Sequence, residues 1–370
     1  MLPDDVSRPF VQDIVYTCIR RLRALRMVLG RFVKTWPKGE LEALLYVGAA
    51  QILYMDSVPD FAAVNETVNA AKECENPSIP KVVNGVLRNM LRNREELEKL
   101  LAGAPAEVRH SFPGVIARRW RERFGEDEAG RMMALHNVPA STFLAHRSGE
   151  FTRLERGRRV EAVPGYAEGE FIVQNPATAL AVEMVGAAAG DKVLDACAAP
   201  GGKAIQLAWR GAEVVACEVN PKRRRVLEQN IARVRLGGAI RTVASLDDAS
   251  LRGVLFDKVL VDAPCSNTGV FRRKPDARWN WSEERLASLV RLQAEILDWC
   301  AKFVKPGGRL VYSTCSCEAE ENQAQVQAFL ARHGDFTLER EEESLPGDEL
   351  DGAFAAALVK KGDAARQQTI

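Results

Sequence analysis

Two cysteines stand where apolar, strand-like stretches of the sequence end. Cys265 lies in "VDAPCSNTGVFRRKPDARW" and Cys315 in "LVYSTCSCEAEEN". Each thiol could be a disulfide partner, a metal ligand, an inert core residue or a nucleophile. In a doubly wound sheet, the carboxyl ends of neighbouring parallel strands border one crevice. The sequence therefore predicts that Cys265 and Cys315 face a common pocket.

A glycine loop follows an earlier β-rich stretch, in "DACAAPGGK". Gly201 and Gly202 let a ligand approach the backbone where a helix begins. The loop is neither a P-loop nor the dinucleotide fingerprint. Glu218, after the next strand, can accept hydrogen bonds from ribose hydroxyls, and Asp247, after the third, can meet an adenine edge. These features predict an adenosine ligand that need not carry phosphates, and S-adenosylmethionine fits.

Thiols beside a methyl donor have a chemical use. Addition of a thiolate to carbon 6 of cytosine breaks the aromaticity of the ring and makes carbon 5 nucleophilic. The adduct must then lose a proton from carbon 5 and expel the thiolate, which requires a second group. Asp262, just before Cys265, could hydrogen-bond the N3 and amino edge of the base.

The elements that must position these residues fall into two halves. Residues 10 to about 135 carry helical periodicity, as in "LEALLYVGAAQILYM", and predict a helical bundle. From about residue 170, β-rich stretches alternate with helical patterns. The β-rich stretches lie at residues 192–196, 213–219, 239–244, 257–263, 309–314 and 353–359. This order predicts an α/β, Rossmann-like domain with a parallel sheet and helices on both faces.

The predicted boundaries are a helical domain over 1–135, a connector over 136–170 and a catalytic domain over 171–363. The connector is charged, contains glycine and has weak periodicity.

Composition narrows the class of protein. The chain has 370 residues, 46% hydrophobic and 27% charged, which is typical of a soluble globular protein. No apolar stretch is long enough to span a bilayer, and the N-terminus lacks the pattern of a signal peptide. Eight cysteines in such a chain indicate reduced thiols, so we expect a cytoplasmic protein without membrane association. A net charge of +1 does not by itself indicate a nucleic-acid partner, although several local basic clusters make such a partner plausible.

The motifs "DACAAPGGK", "VDAPCSNTGVFRRKPDARW" and "STCS", in this order, resemble the Sun (Fmu) family, also called RsmB-like, of RNA cytosine carbon-5 methyltransferases. The resemblance spans roughly residues 170 to 360. It implies Cys315 as the nucleophile and Cys265 in adduct breakdown. It also implies S-adenosylmethionine as cofactor, with its contacts at Cys197, Ala198, Ala199, Pro200, Gly201, Gly202, Lys203, Glu218, Asp247 and Asp262.

The N-terminal half adds a second resemblance. "LLYVGAAQILYMDSVPDFAAVNETVNAAK" followed by "VVNGVLRNMLR" looks like the NusB-like domain of the small-subunit ribosomal RNA branch. It implies a 16S rRNA methyltransferase with rRNA as partner. The chain departs from the family pattern in a shorter N-terminal bundle, a shorter connector, "VQNPAT", Glu218 in place of Asp, and "SLDD" without a preceding glycine.

Alternatives stay open at this level. The same reaction on tRNA, an RNA-binding or assembly factor without turnover, and a small-molecule methyltransferase are the competing functions. We expect no metal site, because the four histidines are scattered and there is no Cys-x-x-Cys pair. The segment "FRRKPDARW" is a solvated turn or a basic lip of the active site; on the second interpretation, its phosphate contacts are Arg272, Arg273, Lys274 and Arg278. We expect a monomer.

Lys203 is the cation that we nominate to favour a thiolate near neutral pH.

Overall fold

The computed structural model describes residues 8–362. Residues 1–7 and 363–370, which include the start of the predicted domain 1–135 and the last residue of the predicted domain 171–363, lie outside the described residues. The chain divides into two compact units. One comprises the chain up to Pro139 together with Arg272–Asn280. The other comprises Ala140–Phe271 and the chain from Trp281 onward.

The first unit is helical over its described part. Its helices are α1 (Arg8–Arg20), α2 (Leu22–Leu29), α3 (Glu40–Tyr54), α4 (Asp60–Lys72), α5 (Ile79–Arg92), α6 (Arg94–Ala102), α7 (Ala106–Arg109), α8 (Gly114–Phe124) and α9 (Glu126–Leu135). Helix α5 illustrates why these segments are helical. Its buried apolar residues recur at steps of three and four positions, which places them on one face: Ile79, Val83, Val86 and Met90. Proline at the second position of α5 suits a first turn, where the backbone amide needs no intrahelical partner.

Two strands of a small antiparallel sheet lie within the predicted connector, and the third directly follows it. The strands of this sheet are β1 (Phe143–His146), β2 (Phe151–Arg153) and β3 (Phe171–Val173), in the order β2-β1-β3. The connector over 136–170 was predicted from its weak periodicity, and these strands were not anticipated. Strands of three or four residues are too short to show alternation in sequence, although the side chains of Phe143, Leu144 and Ala145 are buried.

A seven-stranded sheet forms the centre of the second unit, in the order β6-β5-β4-β7-β8-β10-β9. The strands are β4 (Lys192–Asp195), β5 (Glu213–Cys217), β6 (Ile240–Val243), β7 (Phe256–Asp262), β8 (Val304–Thr314), β9 (Phe336–Ser344) and β10 (Ala353–Lys360). The helices are α10 (Ala179–Val185), α11 (Gly202–Trp209), α12 (Pro221–Arg233), α13 (Glu283–Cys300) and α14 (Gln323–Arg332). Apolar clusters pack against the sheet, with Leu260 and Val311 in one and Val261 and Tyr312 in the other.

The predicted Rossmann-like fold class is confirmed, and one detail is corrected. Strands β4 to β8 are parallel, but β10 runs antiparallel to both β8 and β9, so the sheet is mixed. Strand β9 was not predicted because its sequence, "FTLEREEES", is dominated by charged residues that lie exposed at the edge of the sheet.

The strand order reverses between β4 and β7, which is where ligands bind in open α/β sheets. Asp195 ends β4 and Asp262 ends β7. Asp262 pairs in register with Ser313 of β8. The segments that carry Cys265 and Cys315 therefore leave the sheet side by side.

Within residues 8–362, no helix has both the length and the apolar character needed to cross a bilayer.

Candidate active site

The glycine loop joins the end of β4 to the start of α11. Gly201 has a φ of 110°, and a Cβ atom there would lie 2.8 Å from Cδ1 of Leu227. Glycine is therefore required both by the backbone conformation and by the packing. The Ala199–Pro200 peptide bond is cis. The loop keeps its backbone close to α12, since Asn230 Nδ2 donates to the carbonyl oxygen of Pro200 at 2.9 Å.

Lys203, at the start of α11, connects the loop to β7. Its Nζ donates to Oδ2 of Asp262 at 2.7 Å. Burial lowers the pKa of Lys203, but the carboxylates of Asp262 and Asp195 outweigh burial, so the pKa lies above its ordinary value. The sulfur of Cys315 acts on this pKa in the same direction. The Lys203 ammonium group therefore interacts electrostatically with Asp262, Asp195 and the sulfur of Cys315.

Asp195 is a site residue that the sequence reasoning passed over. Its side chain is 1% exposed, Oδ1 accepts a bond from the Cys197 amide at 3.4 Å, and Oδ2 is buried without a hydrogen-bond partner among residues 8–362. Burial raises the pKa of Asp195 from 3.8 to about 7, and the charge of Asp262 acts in the same direction. Its place at the end of the first parallel strand was the signal that could have identified it.

The two acids predicted to meet the nucleoside lie after β5 and β6. Glu218 is buried; Oε1 accepts from the Asn220 amide at 2.8 Å, and Oε2 lies 3.4 Å from the exposed guanidinium group of Arg223. Asp247 is exposed, and its amide donates to Ser245 Oγ at 3.1 Å. Both therefore stand at the edge of the sheet where the glycine loop also lies.

The hydrogen-bond acceptors around the loop fit an adenosyl ligand with cationic and hydroxyl groups. Gln174 packs against Gly202, since a Cβ atom on Gly202 would lie 3.0 Å from the Gln174 Cδ. Within the described part of the chain, the Oε1 of Gln174, like the Oδ2 of Asp195, is a buried acceptor without a hydrogen-bond partner. Buried acceptors of this kind require a donor. The ammonium and hydroxyl groups of S-adenosylmethionine are donors of the required type.

The two predicted thiols lie together. Sγ of Cys265 and Sγ of Cys315 are 3.3 Å apart, and neither cysteine forms a disulfide. The hydrogen bond with Cys315 is the largest cause that raises the pKa of Cys265 well above its ordinary value, and burial adds to it. Cys265 therefore holds its proton near neutral pH. Cys315 is more exposed than Cys265.

Asn267 supports the thiol pair from the loop after β7. Its Nδ2 donates to the carbonyl oxygen of Cys265 at 2.8 Å, and its Oδ1 accepts from Sγ of Cys315 at 3.5 Å. The φ of Asn267 is 61°, a left-handed conformation that asparagine tolerates better than most residues. This residue was not predicted, although an asparagine two positions after Cys265 is a turn signal.

The thiols of Cys197, Cys217 and Cys300 are packed in the fold and have no assigned role in the reaction. Burial raises the pKa of Cys197 well above its ordinary value and that of Cys217 to about 12. Burial also raises the pKa of Cys300. Among residues 8–362, no group of three or more His, Cys, Asp or Glu side chains is arranged to hold a metal ion.

The basic segment after Cys265 departs from its prediction. Arg272 and Arg278 are 1% and 0% exposed, and both belong to the helical unit. Arg278 donates to Asn137 Oδ1 at 3.0 Å and to the His136 carbonyl oxygen at 3.0 Å. Its guanidinium carbon lies 4.2 Å from the centre of the Phe112 ring.

This burial corrects the prediction that Arg272 and Arg278 contact phosphates, because neither presents a surface to RNA. Arginine clusters look alike in sequence whether they face solvent or are buried by a fold. Arg273 is half-buried and Lys274 is exposed, so the expectation for these two stays a prediction.

Two family models match the chain. Residues 182–354 match the model described as 16S rRNA methyltransferase RsmB/F, and residues 3–92 match the NusB family. A protein of Salmonella arizonae named ribosomal RNA small subunit methyltransferase B is 32% identical over 395 aligned residues, which cover 96% of this chain and 91% of that protein. A protein of the same name from Vibrio cholerae is 33% identical, covering 95% and 89%.

Solved structures share the fold. The crystal structure of PH0851 covers 96% of this chain and 92% of its own, with a TM-score of 0.79 and 22% identity. NSun6 from Pyrococcus horikoshii, solved with SFG, covers 68% of this chain and 99% of its own, with a TM-score of 0.59 and 18% identity.

Proposed function

The chain belongs to the RsmB/F family of S-adenosylmethionine-dependent 16S rRNA methyltransferases, and from this premise we propose that it forms 5-methylcytosine in small-subunit rRNA. The family, the cofactor and the NusB-like half predicted from the motifs are thereby confirmed. The single observation that carries the proposed chemistry is the 3.3 Å separation of the Cys265 and Cys315 sulfurs, at the strand ends beside the glycine loop.

S-adenosylmethionine, when bound, supplies an electrophilic methyl group. The residues that would hold it are Asp195, Lys203, Glu218, Asp247 and the backbone from Cys197 to Gly202. The buried acceptor of Asp195 suits a cationic group, and Glu218 suits ribose hydroxyls. The carboxylates of Asp195 and Asp262 also make this edge of the sheet favourable for a positive charge.

Cys315 is the nucleophile in this proposal. Its thiolate forms a bond to carbon 6 of the cytosine, and the electron pair of the 5,6 double bond shifts so that carbon 5 becomes enamine-like. The proton that must leave the thiol pair is that of Cys315, because the pKa of Cys265 is raised well above its ordinary value. Lys203 favours the negative sulfur, since the amine and this sulfur interact electrostatically.

Cys265 acts after carbon 5 has been methylated. Transfer of the carbon 5 proton to water lets the electrons of that C–H bond restore the 5,6 double bond, and the carbon 6–sulfur bond breaks with its electron pair leaving on the Cys315 sulfur. Cys265 lies against that sulfur, so it can assist the departure by hydrogen bonding to the thiolate that forms. Release therefore depends on Cys265, whereas addition depends on Cys315.

Asp262 orients the base. Oδ2 of Asp262 is bonded to Lys203, and Oδ1 can accept from the cytosine amino group. The target base must be unstacked to reach the thiol, which is least costly in a single-stranded loop of RNA. The NusB-like unit is the part that we expect to contact rRNA outside the active site. Cytoplasmic location and a monomeric state stay predictions.

The test uses 16S rRNA without the modification, a labelled methyl donor and two variants. Cys315→Ala should abolish transfer and form no adduct, because carbon 5 is not activated. Cys265→Ala should accumulate a covalent protein–RNA species that survives denaturing electrophoresis. Unmodified tRNA serves as the comparison substrate. Labelling of tRNA but not of 16S rRNA would overturn the substrate, and identical behaviour of the two variants would overturn their roles.

A further inference from the structure

A buried carboxylate ties the two cysteine segments together. Glu321 is 0% exposed, although it lies only six residues after Cys315. Oε1 accepts from the amide of Ser266 at 2.9 Å and from Nε2 of Gln293 at 2.9 Å. Oε2 accepts from the hydroxyl of Ser266. Hydrogen bonds on both oxygens offset the cost of burying the Glu321 carboxylate.

The same serine continues the link to the other cysteine. Ser266 follows Cys265, and Ser316 follows Cys315; their hydroxyl oxygens are 3.1 Å apart. The Ser316 hydroxyl also lies 3.1 Å from that of Thr268. A continuous chain of hydrogen bonds therefore runs from Glu321 through Ser266 to Ser316, between the residues that neighbour the two thiols.

Glu321 is itself held in place from the sheet and from α13. The hydroxyl of Tyr312 in β8 donates to the Glu321 carbonyl oxygen at 2.7 Å. Gln293 of α13 also donates to the carbonyl oxygen of Pro264, at 2.9 Å, so it bonds to both segments. The carboxylate is thus anchored by rigid elements, whereas the cysteine segment to which it bonds is a loop.

We propose that Glu321 is a positioning residue that holds the Cys265 loop against Cys315 and thereby sets the rate of adduct release. This inference rests on the proposed function, because it assigns Glu321 to the step that Cys265 serves. Addition needs only the Cys315 thiolate and the oriented base. Release also needs Cys265 next to the departing sulfur, so a displaced Cys265 loop slows release more than addition.

Glu321 also contributes a negative charge near Cys265. Its negative charge is among the causes that keep the proton on Cys265. A carboxylate that both holds the loop and keeps Cys265 neutral would leave Cys315 as the thiol of the pair that loses its proton. The hydrogen bonds and the charge of Glu321 therefore both favour Cys315 as the nucleophile and Cys265 as the protonated thiol that assists release.

The experiment separates addition from release. Glu321→Gln keeps the shape and one carbonyl acceptor but removes the charge and one acceptor of the bonds to Ser266. In a single turnover with unmodified 16S rRNA and methyl donor, we expect adduct formation to change less than threefold. Decay of the adduct should slow about tenfold or more, since a hydrogen bond to a charged group is worth at least that factor. A purely structural role would slow both steps together.

Two further variants keep the test decisive. Gln293→Met removes donors to Glu321 and to the Cys265 loop without touching a thiol, and it should accumulate adduct to a smaller extent. Asp257→Asn alters a carboxyl group at the opposite end of β7, where it accepts from Lys305 and the Lys192 amide, and its adduct should decay at the wild-type rate.

Cys265→Ala is the reference for trapped adduct. If Cys265→Ala traps RNA while Glu321→Gln and Gln293→Met release it at the wild-type rate, the role of Glu321 is refuted and the proposed function stands. If Cys265→Ala does not trap RNA, the proposed role of Cys265 in release and the role of Glu321 both fall, whereas formation of 5-methylcytosine is decided separately by the labelling of 16S rRNA.

Discussion

Replacement of Asp195 by asparagine should remove a pH-dependent loss of stability. Asp195 is 1% exposed, and its folded-state pKa is raised from 3.8 to about 7, first by burial and then by Asp262. A carboxyl group with a raised folded-state pKa destabilises the fold increasingly as the pH rises from the unfolded pKa to the folded one. Asparagine keeps an acceptor for the Cys197 amide and replaces Oδ2 with an uncharged amide nitrogen.

The magnitude follows from the two pKa values. Between about pH 4 and pH 7, the free energy of unfolding of the wild type falls by about 1.4 kcal/mol per pH unit relative to that of the variant. The full effect is therefore about 4 kcal/mol. Below pH 4 the carboxyl is protonated in both states, and above pH 7 it is ionised in both. The difference in free energy of unfolding between Asp195→Asn and the wild type should therefore grow by about 3 kcal/mol, in favour of the variant, from pH 5 to pH 8. It should not grow further above pH 8.

Urea unfolding without methyl donor, followed by circular dichroism from pH 5 to pH 8, measures this difference. Other titrating groups cancel when the two proteins are compared at each pH. The matched control is Asp248→Asn: hydrogen bonds from Ser250 lower the pKa of Asp248, so this carboxyl is ionised in both states from pH 5 to pH 8 and the stability gap of the variant should not change with pH. Parallel stability curves for Asp195→Asn and wild type, with a gap constant to within about 0.5 kcal/mol, would refute the reasoning.

Three further outcomes are expected. Lys203→Met removes the cation bonded to Asp262, and alkylation of Cys315 at pH 7.5, measured by mass spectrometry, should slow about tenfold; an unchanged rate excludes Lys203. Arg278→Met should destabilise the helical unit by about 2–4 kcal/mol, measured by calorimetry, because buried carbonyls lose their donor; a change below about 0.5 kcal/mol contradicts this role. Gly352→Ala places a Cβ atom 2.7 Å from the Gly269 Cα and should cost about 1–3 kcal/mol in urea unfolding; wild-type stability contradicts this packing.

The sequence predicted the parts of the site that follow from strand topology. Cys265 and Cys315 each come just after an apolar strand, and parallel strands bring such positions to one edge. The same logic located Gly201, Glu218 and Asp262. These predictions needed only the periodicity of the strands and the residues that end them.

Long-range burial could not be predicted in the same way. Glu321 lies in the acidic sequence "CEAEEN", which is typical of a solvated surface, and only the folded chain shows that Ser266 and Gln293 bond to it. Arg278 shows the converse, since a basic segment that looked exposed is buried among carbonyl oxygens. Local composition does not report which partners the rest of the chain supplies.

The assignment of Arg272–Asn280 to the helical unit has a consequence for engineering. The gene cannot be cut at one point to give two self-sufficient products. A fragment that begins at residue 140 would keep Arg272 and Arg278 but lose Arg20 and His136, with which they are buried. Domain swaps among relatives should therefore exchange the N-terminal portion and residues 272–280 together. A chimera that exchanges only one of them would separate Arg272 from Arg20 and Arg278 from His136.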